Sequence, residues 1–254
     1  MKIKAIAFNT FREAIRDRIL YLLLFFAAVC IIFSRLLALL TVGDKVKIIK
    51  DVGLSSLSLF GALMAILIGT GLVFKEIDKK TIYTIISKPI HRYQFLLGKF
   101  FGLVLTLFIM LLLMSFIFLA LVFFHTFTIE WEMLIAILFI FFELCLITSV
   151  ALLFSCFSTP ILSSIFSLAF YLIGHTAWGI ETLIKKIPPG VGKTLARFLY
   201  HFLPDLENFN FKTEIVQQLD IPSEVYLYSI LYGIFYTLFV LIIAVLIFRK
   251  RDFI

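Results

Sequence analysis

Long apolar segments alternate with short polar ones along the whole chain. Each apolar run is continuous, without the alternation of apolar and polar positions that a transmembrane strand requires. The six runs of bilayer length occupy residues 19–40, 54–74, 100–124, 133–157, 161–180 and 226–248. The pattern therefore predicts an all-α membrane protein with six transmembrane helices. No repeat of fixed period divides residues 1–254, so we expect a single helical membrane domain.

Two further segments have the periodicity of amphipathic helices. In residues 1–18, apolar side chains recur at helical spacing on one side, and basic side chains occupy the other. This pattern predicts an interfacial helix at a membrane surface, with a frayed basic tail as the alternative. Residues 191–203, within the long polar segment 181–225, have the same character. They predict a helix that lies on or dips into one leaflet, or that packs on its own hairpin.

The second apolar run is rich in small residues. Gly61, Gly69 and Gly71 lie within about three turns of the predicted helix. Small residues let the backbones of neighbouring membrane helices approach closely. We therefore expect this helix at a closely packed interface, near that of a dimer if the chain forms one.

The composition supports a location in the membrane. The 254 residues are 62% hydrophobic with a mean hydropathy of +1.11, so the excess apolar surface must face lipid. A net charge of +7 is also typical of proteins that bind nucleic acid. Here the basic residues cluster in loops beside the apolar runs, where they contact anionic headgroups and set the topology. We expect contact with the lipid bilayer and no binding of nucleic acid.

The distribution of lysine and arginine predicts the orientation. Six spans place both termini on one side, and the loops of that side, with the 75–99 stretch, carry 14 Lys and Arg residues. The loops of the opposite side carry eight. The positive-inside rule therefore places both termini and residues 75–99 in the cytoplasm of a multi-pass protein of the plasma (inner) membrane. Segment 181–225 then lies outside.

Glu143 is the one carboxylate deep within an apolar run. An ionisable group inside the bilayer is expensive to bury, so it is a functional candidate. It could act as a polar gate, contact a substrate, or accept a hydrogen bond from a serine or threonine of a neighbouring helix. The last role would be purely structural.

The chain lacks the motifs of nucleotide binding and of catalysis. GVGKT at residues 190–194 resembles part of a phosphate loop, but the required first glycine is replaced by Ile187. No HExxH or GxSxG motif is present. Cys30, Cys145 and Cys156 lie in or beside apolar runs without a CxxC spacing, and the histidine spacing demands no metal. We expect no catalytic residue, no metal site and no cofactor bound by this chain.

Residues 75–99 form the only long charged interruption in the first half of the chain. The sequence KEIDKKTIYTIISKPIHRYQFLLGK carries six of the 23 Lys and Arg residues. Its apolar island, residues 81–87, is too short to cross a membrane, and Pro89 follows it. The pattern predicts a short amphipathic helix that ends before the proline and lies at the cytoplasmic surface.

This stretch is also where a partner protein would act. The chain has no nucleotide site, so work driven by ATP must be delivered by another subunit through a cytoplasmic loop. Ile82, Ile85 and Ile86 share one helix face and have the spacing of anchors for a groove on a partner. The candidate coupling residues are Glu76, Asp78, Lys80, Thr81, Ile82, Tyr83, Ile85, Ile86, Ser87, Lys88, Pro89 and Arg92.

The order of these segments and several motifs resemble a known family, the permease subunits of type-two ATP-binding-cassette exporters. The chain looks most like its six-span members, which include the nitrous-oxide-reductase maturation and gliding-motility permeases. The motifs are the 75–99 stretch with its Ser-Lys-Pro and Leu-Gly-Lys, LFSCFSTP at 153–160, YLIGH at 171–175 and FLPDLENFNF at 202–211. The resemblance covers the whole chain.

The resemblance implies a complex. It implies two permeases, as a homodimer or a heterodimer, above two cytoplasmic ATPase subunits that bind ATP and magnesium. Thr81 to Ser87 would form the coupling helix, with Glu76 and Arg92 as polar anchors on either side. Residues 191–203 would match a re-entrant outer segment before the last span. The transported substrate is not implied.

Two other functions remain open from the residues. A secondary transporter would work without ATP, but such proteins usually have inverted repeats and several intramembrane charges. A non-transporting membrane anchor would hold an ATPase complex for assembly or signalling. Movement of cargo that depends on ATP distinguishes a transporter from either alternative.

Overall fold

The structure is a computed structural model that describes residues 2–40, 44–78, 91–128, 130–176, 184, 193 and 204–250. Within these residues every regular element is helical and no strand occurs. Five helices are long and apolar enough to cross a membrane, and a sixth apolar helix is shorter. The prediction of an all-α, multi-pass membrane protein is therefore confirmed.

The helices follow the order of the apolar runs. They are α1 (Lys2–Ile15), α2 (Arg18–Leu40), α3 (Lys45–Asp78), α4 (Arg92–Thr126), α5 (Trp131–Ser155), α6 (Pro160–His175), a 3-10 helix (Leu206–Phe209), α7 (Lys212–Val216) and α8 (Ser223–Lys250). The five long candidates are α2, α3, α4, α5 and α8, and α6 is the shorter one.

Several helices extend beyond the apolar runs. Helix α3 begins at Lys45, whereas the second run begins at residue 54. Helix α4 begins at Arg92, so the last part of the predicted 75–99 loop is helical. Helix α6 ends at His175, and the remainder of the fifth run lies largely outside the described residues. A helix can continue into polar sequence because its backbone hydrogen bonds do not depend on apolar side chains. The ends of the helices therefore do not mark the membrane boundaries, which stay predictions.

Helices α3 and α5 form the centre of the bundle. A Cβ atom added at Gly61 would lie 2.8 Å from the Leu144 side chain, and one added at Gly69 would lie 3.3 Å from that of Ala151. Two of the three glycines of the second run therefore permit close contact with α5 of the same chain. Around Gly71, no described atom lies within 4 Å of such a Cβ.

Helix α1 packs on the first half of α4. A Cβ atom at Gly102 would lie 2.5 Å from the backbone oxygen of Ala7, and Thr10 and Ala14 are buried in the contact. The apolar side of the predicted interfacial helix thus faces α4. The exposed side carries basic residues, and Arg12 lies 4.5 Å from the centre of the Phe8 ring.

The two ends of the bundle differ. At one end, which we call the Arg92 end, the starts of α4 and α6 meet the ends of α5 and α8. Phe95, Leu96, Cys156, Ala244 and Phe248 form an apolar cluster there. At the opposite end, the His175 end, α6 finishes beside the 3-10 helix and packs against α3 and α5.

Candidate functional site

Glu143 lies in α5 with 0% of its surface exposed. Helix α5 is apolar over almost its whole length, so this side chain must find its partners inside the bundle. The hydroxyl of Ser58, in α3, lies 3.2 Å from each carboxylate oxygen of Glu143 and donates to that group. The structure thus places beside Glu143 a serine of a neighbouring helix, as one of the predicted roles requires.

His175, the last residue of α6, connects Glu143 to a second carboxylate. Its Nε2 atom lies 2.9 Å from Oε1 of Glu143, and its Nδ1 atom lies 3.4 Å from Oε2 of Glu207. An imidazole ring donates from both nitrogens only when it is protonated at both. The His175 ring therefore bridges two carboxyl groups and links α5, α6 and the 3-10 helix.

Glu207 is held in place by its own short helix. Asp205 caps that helix by accepting a hydrogen bond from the Glu207 backbone N–H at 3.1 Å. The Asn210 amide donates to Oε1 of Glu207 at 2.7 Å. Hydrogen bonds from His175 and Asn210 hold the pKa of Glu207 below its usual value against the opposing effect of burial. Burial raises the pKa of Asp205.

Apolar contacts seat the same segment on the helices. A Cβ atom at Gly174 would lie 2.6 Å from the Leu206 side chain, so α6 approaches the 3-10 helix closely. The ring of Phe211 meets that of Phe139 edge to face, with 4.5 Å between centroids. The Tyr232 hydroxyl of α8 accepts a hydrogen bond from the Asp205 backbone at 2.8 Å. Residues 204–216 therefore pack against α5, α6 and α8 together.

A second ion pair lies at the same end of the bundle. Lys50 Nζ, in α3, lies 2.7 and 2.6 Å from the two carboxylate oxygens of Glu130, directly before α5. The Lys50 side chain is only 5% exposed. This pair joins the starts of α3 and α5 and is separate from the bridge at His175.

Most of the predicted coupling residues cannot be described. Lys80, Thr81, Ile82, Tyr83, Ile85, Ile86, Ser87, Lys88 and Pro89 lie outside the described residues, as does most of the predicted helix at 191–203. Glu76 and Asp78 belong to the last turn of α3, whose backbone alone is described.

Arg92 is the one predicted coupling residue with a described side chain. Its Nη1 atom donates to the backbone oxygens of Phe248 at 3.3 Å and Arg249 at 2.8 Å. The last carbonyls of a helix have no partner inside that helix, and a cation near them is favourable. Arg92 thus fastens the start of α4 to the end of α8.

An ion pair between a buried lysine and a partly exposed glutamate also connects α1 to α4. Lys99 has 0% exposure, and its Nζ atom lies 3.5 Å from Oε2 of Glu13. Together with the contact at Gly102, this pair fixes α1 to the helix that follows the predicted coupling stretch.

No group of three or more histidine, cysteine, aspartate or glutamate side chains in the described residues is placed to hold a metal. At the His175 end, the two facing carboxylate oxygens already contact the imidazole. What this cluster can do is exchange protons and hold elements together.

Sequence reasoning did not identify two members of this cluster. His175 and Glu207 lie within YLIGH and FLPDLENFNF, motifs that carried the resemblance but no assigned role. The sequence did show that both residues are polar and follow the fifth apolar run or lie near its end. That position could have indicated partners for the buried carboxylate of the preceding run.

The chain matches the model of the family described as ABC-2 family transporter protein over residues 4–253. This match covers nearly all of its length, so the chain belongs to the ABC-2 transporter family. No curated protein matched the chain. Together with the apolar helices, the match makes the protein a multi-pass permease component of an ABC transporter. In this family the membrane component transports rather than catalyses, and it implies a partner with an ATP-binding cassette.

Proposed function

We propose that this protein is the permease of an ATP-driven exporter whose ATPase is a separate cytoplasmic subunit. Two permeases, identical or related, would form the membrane channel in the plasma membrane, with both termini in the cytoplasm. The observation that carries the proposal is the double hydrogen bond of Arg92 to the end of α8. It lies directly beside the stretch that has the sequence pattern of a partner-binding helix.

The contacts at the Arg92 end supply a mechanical route. The undescribed residues 79–90 join the end of α3 to the segment that begins α4. A displacement of that stretch would be passed to α4 through the chain, and to α8 through Arg92. The Lys99–Glu13 pair would pass it further to α1. One docking site could in this way move three helices, and α3 from the other side.

The sequence of the stretch supplies the docking surface. Ile82, Ile85 and Ile86 would enter an apolar groove on the ATPase, with Tyr83 and the flanking charges at its rim. Because no nucleotide motif is present in this chain, ATP and magnesium would bind to the partner. The cluster around Glu143 would line or close the route at the opposite end.

The test replaces Ile82 and Ile85 together by aspartate. Burying two charges in an apolar groove should cost several kcal/mol, roughly enough to abolish a micromolar contact. We expect the double variant to reach the membrane, to lose its ATPase subunit on purification, and to lose ATP turnover in proteoliposomes. Thr84→Asp is the matched control, since residue 84 lies on the opposite side of the predicted helix and should retain the subunit.

A double variant that inserts normally, retains its ATPase and still supports ATP turnover would refute the coupling role of this stretch. If the protein is instead a secondary transporter, the double variant should transport its substrate as the wild type does, because no ATPase contributes to the transport cycle.

A further inference from the structure

We propose that His175 is a proton-dependent tie that holds residues 204–216 on the middle of α5 and the end of α6. The tie consists of the two contacts of the imidazole ring, to Glu143 and to Glu207. It lies at the end of the bundle opposite to Arg92, so it is distinct from the coupling role proposed above. It gives the permease a device that responds to protons at the side where segment 181–225 lies.

The geometry makes the tie depend on one proton. Two carboxylates face the two ring nitrogens, so a doubly protonated ring donates to both. A neutral ring has one donor and one lone pair, and that lone pair would face a carboxylate oxygen. Loss of one proton therefore changes one of the two contacts from attraction to repulsion. Since Glu143 is fully buried, the contact to the half-buried Glu207 is the one that can open.

Charged and titratable groups from each neighbouring element bear on the ring. Glu143 comes from α5, Glu207 and Asp205 from the 3-10 helix and its cap, Lys212 from α7 and Tyr171 from α6 itself. From α3 the contribution is the neutral hydroxyl of Ser58, which donates to Glu143. Three of these groups are carboxyl side chains, and one is a lysine.

Opening the tie would release a defined unit. Residues 204–216 contribute Leu206, Phe209, Phe211, Ile215 and Val216 to the buried core. This apolar packing and the hydrogen bond from Asp205 to Tyr232 are among the described contacts that remain after the tie opens. Separation of the segment would uncover the end of α6 and the middle of α5, including Glu143.

Hydrogen exchange measures this equilibrium directly. The full chain in lipid nanodiscs is compared with Glu207→Gln, which keeps the shape of the side chain and removes its charge. The quantity is the protection factor of backbone amides in residues 205–216, that is, exchange relative to an unstructured peptide at the same pH. At about pH 7 we expect protection to fall about tenfold in the variant, as loss of a charge-assisted hydrogen bond predicts. As a control, Asp220→Asn removes an exposed carboxylate that lies just after this segment, and it should leave the protection of residues 205–216 unchanged.

The pH profile separates a proton-dependent tie from a fixed structural contact. Protection of residues 205–216 in the wild type should fall as the pH is raised from about 6 to about 10, while protection of α5 stays constant. His175→Gln cannot ionise, so its protection should start low and remain level over this range.

Two results would overturn the proposal. If Glu207→Gln protects the segment as well as the wild type does, the two residues are not tied. If wild-type protection of residues 205–216 is independent of pH, His175 is a structural contact only, whatever the variants do. The second comparison uses only the unaltered chain, so it decides the question even where a variant fails to fold.

Discussion

Ser58 and Ser115 are both buried serines in long apolar helices, but only Ser58 donates a hydrogen bond to an ionisable group. The Ser58 hydroxyl donates to the buried carboxylate of Glu143. The Ser115 hydroxyl is buried with no hydrogen-bond partner among the described residues. Replacing each serine by alanine therefore compares the loss of the hydroxyl that contacts Glu143 with the loss of a hydroxyl that has no described partner. The difference in the free energy of unfolding measures the contribution of the Glu143 contact.

We expect Ser58→Ala to destabilise the protein by about 1–2 kcal/mol, because it leaves a buried carboxylate with one donor fewer. Ser115→Ala removes an unsatisfied hydroxyl and should be neutral within about 0.5 kcal/mol. The measurement is the free energy of unfolding in mixed micelles. Equal losses in the two variants would mean that Ser58 contributes packing alone.

Only one residue of the cluster around Glu143 could be predicted from the sequence, namely Glu143 itself. Glu143 could be singled out because one carboxylate in an apolar run needs no partner to be noticed. His175 and Glu207 could not be paired with it from the sequence. His175 is 32 residues from Glu143 and 32 residues from Glu207 along the chain. Only the three-dimensional packing of α5, α6 and the 3-10 helix brings these residues together.

At the scale of helices, glycine positions decide which surfaces touch. Gly102→Leu would place side-chain atoms where the backbone of α1 lies, since even a Cβ atom would be 2.5 Å from the Ala7 oxygen. We expect this variant to release α1 from α4, which proteolysis of residues 1–18 would reveal. Gly71→Leu is the control, because no described atom lies within 4 Å of its added Cβ. Proteolysis that is the same in both variants would contradict the α1–α4 contact.

The apolar runs predicted the existence and order of the long helices, because bilayer-length hydrophobicity is a strong signal. They predicted the ends less well. Lys45 and Arg92 begin helices in polar sequence, which hydropathy does not register. Polar contacts lie close to both starts, namely Arg92 with the end of α8 and Lys50 with Glu130. The partner of α1 was also missed, since an amphipathic pattern shows an apolar face without showing whether lipid or another helix covers it.

For the molecule as a whole, the two ends carry different chemistry. The Arg92 end joins α1, α4 and α8 through basic side chains, namely Lys99 and Arg92. The His175 end holds two carboxyl groups around one imidazole, and the Lys50–Glu130 pair joins the starts of α3 and α5. The contacts at the two ends are therefore separate, so a substitution at one end leaves the described contacts at the other intact.

The distribution of charge predicts which end faces the cytoplasm. The predicted cytoplasmic side carries 14 Lys and Arg residues against eight, and this bias sets orientation during insertion. We therefore expect Lys4→Cys, on the exposed side of α1, to react with an impermeant thiol reagent only after cells are permeabilised. Asp220→Cys, exposed beyond α7, should react in intact cells. Both are made in a background without Cys30, Cys145 and Cys156, which are free thiols. Labelling of position 4 in intact cells, or protection of position 220 there, would invert the molecule and place the proton-dependent tie beside the ATPase.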